Sequence, residues 1–110
     1  MNNLNKQIDI EVGTISFWIK ENQISFSDNQ LYPLIDVSDT KGSIFILKDT
    51  DNKIKFFYVY LGKGRTDVEW DCSKLKNDKK HMVAATWSQK DREVKLYIDG
   101  QLVKTSKIEY

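Results

Sequence analysis

Three acids stand at alternate positions in Asp67-Val-Glu-Trp-Asp71. On a strand, alternate side chains share a face, with Cα atoms two residues apart separated by ~6.5–7 Å. Asp67, Glu69 and Asp71 therefore have the spacing for paired-carboxylate hydrolysis of a glycosidic bond, one acid as nucleophile and another as proton donor. A solvated outer strand face produces the same pattern, so these residues define one functional alternative rather than a motif. Turnover by this chain is not expected.

Oxygen ligands collect elsewhere. Asp36, Asp39, Asp49, Asp51 and Asn52 read as loop residues, and Asp49, Asp51 and Asn52 are the candidate calcium ligands. The run from Asp49 begins like a helix-loop-helix calcium loop. It then places Lys53 and Ile54 where that loop needs an oxygen ligand and a glycine. Calcium is thus the single ion to consider, and no other cofactor has a motif. His81 has no serine or cysteine nucleophile beside it in sequence, and one histidine with one cysteine, Cys72, does not make a structural zinc site. Gly62-Lys-Gly-Arg65 lacks the further glycine or Lys-Ser/Thr of a phosphate loop and reads as a turn.

Composition narrows the classes. The chain has 110 residues, 40% apolar and 30% charged, with a net charge of +1, which fits one folded domain with one core. Acids and bases are interspersed, and only Arg65 and Arg92 among 17 basic residues are arginines, so no nucleic-acid partner is expected. No apolar run has the ~20 residues needed to span a bilayer, and Met1 to Gln7 carries no secretion-signal pattern. The single cysteine forbids an internal disulfide.

These candidates must be carried by strands. Short runs of Ile, Val, Phe, Tyr and Trp recur between Asp, Asn, Gly and Ser, with one proline and no helical period. Strands are expected from Ile8 to Val12, then, after Gly13 as punctuation, from Thr14 to Lys20, with a short one at Ile24 to Phe26. Others follow at Leu31 to Val37, Ser43 to Lys48, Lys53 to Leu61, Thr66 to Asp71, His81 to Ser88, Glu93 to Ile98 and Gln101 to Thr105. Pro33 marks an edge or a bulge. Lys53 to Leu61 is apolar on both faces and should be central and covered on both sides. Phe17, Phe45, Phe56 and Trp87 read as core. Asp99-Gly100 is a two-residue hairpin turn with Gly100 at positive φ. The fold class is an all-β antiparallel two-sheet sandwich.

Side-chain direction supplies the ligand-contact candidates. If Ile15, Phe17 and Ile19 face the core, Trp18 faces outward; if Val94, Leu96 and Ile98 do, so does Tyr97. Aromatics among Lys, Ser and Glu can stack on a sugar ring or a partner's apolar group.

Three segments together, Gly13-Thr-Ile-Ser-Phe-Trp-Ile-Lys20, His81-Met-Val-Ala-Ala-Thr-Trp-Ser88 and Lys95-Leu-Tyr-Ile-Asp-Gly-Gln-Leu-Val103, resemble the laminin-G-like jelly rolls of the concanavalin A-like class. That family includes relatives of the pentraxins and legume lectins. Lys80 stands where the family usually carries an aromatic, and relatives usually continue past the last hairpin, whereas this chain stops at Tyr110. The resemblance implies residues 1–110 as one short laminin-G-like domain, and an extracellular or cell-surface setting. It implies a non-catalytic recognition module for carbohydrate or a protein surface, with loop calcium in many relatives. A structural, self-assembling role is the alternative, with an open sheet edge leading to homo-oligomers.

Overall fold

The computed structural model describes residues 8–110. Eight strands form: β1 (Val12–Ile19), β2 (Tyr32–Ser38), β3 (Gly42–Lys48), β4 (Lys53–Tyr60), β5 (Gly64–Asp71), β6 (His81–Ser88), β7 (Glu93–Ile98) and β8 (Gln101–Lys107). They build two four-stranded antiparallel sheets, ordered β1-β6-β7-β8 and β2-β3-β4-β5. Among the described residues no helix is long and apolar enough to cross a membrane.

The period of two fills the space between the sheets. The first sheet turns Ile19, Val83, Ala85, Trp87, Val94, Leu96 and Ile98 inward, and the second turns in Ile44, Ile46, Ile54, Phe56, Tyr58 and Val68; all are buried. Phe56 and Trp87 meet edge to face across the two sheets, with centroids 6.5 Å apart. At one side the sheets lean together, where the Ser106 hydroxyl on β8 donates to the Asp67 carbonyl on β5 at 2.8 Å. At the other, residues 8–11 fill the gap: Ile10 is fully buried, its N–H donates to Asp39 Oδ2, and its carbonyl accepts from the Tyr58 hydroxyl.

Several expectations change here. Residues 8–11 are not a strand; their backbone groups go to Asp39, Tyr58 and the Trp87 indole N–H instead of a ladder. Gly13 is not punctuation but lies within β1, paired to Trp87, and a Cβ there would sit 2.5 Å from the indole Cζ2. Ile24 to Phe26 is a buried loop, with the Phe26 N–H bonded to the Asn77 side chain. Strand β4 is central, as expected, but covered on one side only. Its other face carries Phe57, half-buried and 6.1 Å from Phe45, so Phe45 is an outer-face residue, not core. Pro33 lies on the edge strand β2 beside a register shift, and Asp99 and Gly100 both turn at positive φ, as their sequence indicated.

Two glycines separate two kinds of strain. A Cβ at Gly42 would lie 2.0 Å from the Val59 carbonyl oxygen, a backbone atom that cannot yield. At Gly100 (φ +84°) a Cβ meets nothing within 4 Å, so only the backbone conformation resists. Gly100→Val should therefore cost ~1–3 kcal/mol, and Gly42→Ala about 3 kcal/mol or more through overpacking. Urea unfolding of both variants checks the order; a Gly42→Ala protein as stable as wild type would contradict the close approach.

Candidate functional site

The first sheet's outer face is built by strand alternation alone. Trp18 is opposite Met82, and Ser16 opposite Ala84, which in turn is opposite Tyr97. Trp18 and Tyr97 thus share one face on a diagonal, two strands across and two residues along, roughly 12 Å apart, with Met82 and Ala84 of β6 between them. Trp18 is 56% exposed, and the Lys80 ammonium lies 5.1 Å over its ring. Tyr97 is half-buried; Leu102, 51% exposed, is its partner on β8. Farther along the same face a shallow depression of ≈ 210 Å³ is lined by Thr14, Thr86, Ser88, Glu93 and Lys95 among others. The face therefore runs from an aromatic end to a hydroxyl-rich end, with apolar stacking surface and hydrogen-bonding groups within one strand length.

The three alternating acids point out of the other sheet. Asp67, Glu69 and Asp71 are paired in register with Phe57, Lys55 and Lys53. Asp67 holds Arg65 at 2.8 Å, and Glu69 lies 3.6 Å from Lys53. Hydrogen bonds from the Ser73 hydroxyl and N–H keep the Asp71 carboxyl below its ordinary range, the wrong direction for a proton donor. This is a charge-compensated strand face.

The calcium candidates meet a lysine. Lys55 Nζ sits 2.9 Å from Asp49 and 3.0 Å from Asp51, and these bonds push its ammonium up to about 12. The Asn52 side-chain oxygen accepts from the Asn29 N–H. Asp36 lies on β2 rather than in a loop, and Asp39 is committed to the N–H groups of Ile10, Lys41 and Gly42. Among the described residues no group of three or more His, Cys, Asp or Glu side chains is placed to hold a metal ion. With an ammonium between the two carboxylates, the arrangement does not fit a calcium ion.

His81 is buried and engaged at both ring nitrogens, Nδ1 at 2.7 Å from Asp99 Oδ2 and Nε2 at 2.9 Å from the Lys76 carbonyl. It ties the β5–β6 connection to the last hairpin. Burial pushes the Asp99 carboxyl up, but bonds from His81 and the Met82 N–H outweigh it and hold the group below its usual value. Gly62 and Gly64 make the β4–β5 turn as expected.

The architecture and the comparison with known sequences agree. A laminin-G-type family model, described as the concanavalin A-like lectin/glucanases superfamily, matches residues 4–110. The chain belongs to this superfamily. Its fold is similar to mouse laminin alpha1 chain domains LG4-5 (TM-score 0.64, 19% identity, covering 96% of this chain and 26% of that one). It is also similar to the CBM40 module of a Ruminococcus gnavus IT-sialidase. Bound to alpha2,3 sialyllactose, that module gives a TM-score of 0.65 at 17% identity, over 91% of this chain and 55% of that one. Bound to alpha2,6 sialyllactose, it gives 0.62 at 17%, over 88% and 55%. The chain thus spans about a quarter of the laminin structure and just over half of the sialidase module. No curated protein matches the sequence.

One buried charged group of this superfamily member was not singled out from sequence. Lys48 is fully buried, its ammonium 2.9 Å from Asp28 and 2.8 Å from the Gln30 carbonyl. The alternation that turns Ile44 and Ile46 inward also turns Lys48 inward; what it could not show was the partner, 20 residues earlier. Asp28 is held at about 2, first by the Tyr32 hydroxyl and then by Lys48. Because the fold favours the charged form, its contribution is complete above the ordinary value of 3.8 and is lost as pH falls toward about 2. Urea unfolding between these limits should show stability falling with pH, and Asp28→Asn should reduce that slope, the rest coming from other lowered carboxyls such as Asp39, Asp49, Asp71 and Asp99; an unchanged slope would contradict the clamp. Cys72 is buried, its thiol pushed up to about 11 by burial. A disulfide reagent at neutral pH should label it only on unfolding, and labelling at the rate of a free thiol would show that it is accessible.

Proposed function

We propose that this chain is a non-catalytic recognition module whose ligand is carbohydrate, contacted through the outer face of β1, β6 and β7. The observation that carries the reading is Trp18, more than half exposed on a strand whose opposite face fills the core. An indole held on a rigid sheet loses little conformational freedom on binding, and where the flexible Lys80 side chain that lies over it swings aside, its ring offers an apolar surface to a sugar. Tyr97 extends that surface, and the threonine and serine hydroxyls farther along match sugar hydroxyls. The similarity to a sialidase carbohydrate-binding module supports the same class of ligand, and a protein surface is the runner-up. An extracellular or cell-surface setting goes with this reading. No ion is needed at Asp49 and Asp51, where Lys55 supplies the charge.

Self-association through a sheet edge is the structural alternative. Strand β8 is an edge, but it presents Lys104 and Lys107, exposed charges of the kind that oppose strand pairing.

A glycan array, run with Ca²⁺ and with chelator, should give a chelator-indifferent ligand. Trp18→Ala should then weaken its binding by ~1–2 kcal/mol, roughly 5- to 30-fold, with an unchanged circular dichroism spectrum and melting temperature. Full affinity in Trp18→Ala would move the site elsewhere, and unfolding would make Trp18 structural.

A further inference from the structure

Trp70 has the inward position of a core residue without the cover of one. On β5 it is paired with Ile54 and lies on the same strand face as buried Val68. Yet it is only half-buried, and two depressions, of ≈ 360 and ≈ 260 Å³, share Trp70 and Leu75 as walls. The reason lies in β8. This strand is pinned to β5 where Ser106 bonds the Asp67 carbonyl. Three residues farther along each strand, Trp70 and Val103 line one cleft. Between the pairs Leu96 with Lys104 and Tyr97 with Leu102 the register shifts, leaving Val103 as an extra residue. Such a bulge bends its strand, and one of the depressions lies beside it.

Trp70 and Leu75 are the apolar surface that the two adjoining depressions share; Asp71 and Lys74 edge one, and Ile98, Val103, Asp99 and Gln101 line the other. The rim chemistry selects the ligand. Lys74 opposes a cation, and two carboxylates oppose an anion. A wholly apolar ligand would strip water from four polar groups and return no hydrogen bonds. Hydroxyls accept from Lys74 and Gln101, and donate to the lone pairs that Asp71 keeps beside its bonds from Ser73, and Asp99 beside its bonds with His81 and Met82, so they suit both kinds of group. Asp71 and Asp99 are both held ionised, so both act as acceptors.

We propose that this interlayer cleft is a second ligand site, for a neutral sugar ring stacked on Trp70 and hydrogen-bonded by the rim. It stands on different residues from the Trp18 face and on the other side of the strand layer.

The test follows the three indole N–H signals of the ¹⁵N-labelled full chain by NMR, assigned by single Trp→Phe changes, during titration with lactose and with cellobiose. The Trp70 signal should shift saturably, and should still do so in Trp18→Ala. Lys74→Ala and Gln101→Ala, both rim changes, should each weaken that response by roughly five-fold, the loss of one polar contact. The proposal is overturned if neither disaccharide moves the Trp70 signal, if choline moves it and the sugars do not, or if Trp18→Ala abolishes the response. A shift at Trp18 alone would leave the outer-face reading standing and remove this one; a shift at Trp70 alone would do the reverse.

Discussion

The edge-to-face contact of Phe56 with Trp87 joins the two sheets across the core, and much of the molecule is arranged around keeping that indole in place. Its N–H donates to the Asp9 carbonyl, which fixes the segment before β1. Its ring occupies the space that a side chain at position 13 would need, so the neighbouring strand carries glycine there. Once Trp87 points inward, the register of β6 with β1 and β7 sends every second residue of those strands outward, because the side-chain period is two. The exposed position of Trp18 is a consequence of the buried position of Trp87.

A sandwich of two four-stranded sheets has ends and sides that strands cannot close. Here polar side chains close them. Asp39 gathers three N–H groups from two segments, Tyr58 reaches out of the core to the Ile10 carbonyl, and the Lys48–Asp28–Tyr32 cluster ties residues 28–32 to the end of β3. A charge with no solvent contact, such as Lys48, is tolerated only with partners of this geometry. These clamps fix loops without enlarging the apolar layer, which suits a chain whose core is small. One of them occupies Asp39, and a separate ion pair with Lys55 occupies Asp49 and Asp51, three of the acids that read as oxygen ligands in sequence.

Strand alternation was legible wherever one face is apolar and the other polar: β1, β7 and the Asp67–Asp71 run all lie as their patterns indicate. The Asp99-Gly100 turn was legible for a local reason as well, since its residues set their own backbone angles. What failed was anything decided by a partner distant in sequence. The two-faced apolar pattern of β4 suggested cover on both sides, but nothing in the strand records that only one side has a sheet against it. Gly13 looked like punctuation because the indole that requires it is 74 positions away. Trp70 alternates as a core residue should, yet it is only half-buried, with the bulged residue Val103 of β8 lining the same depression.

Trp18 and Trp70 are open to solvent for different physical reasons, and this separates what each can do. Trp18 is outward by parity and lies outside the dry layer, so a ligand site on that face, as proposed, would be able to vary at little cost in stability. Trp70 is inward by parity and only half-buried, so part of its ring packs on the core while another part faces the cleft. Any change there would alter packing and the proposed ligand contact together. A site of the first kind is free to diversify; one of the second kind holds its geometry tightly, because the core that positions the ring also depends on it.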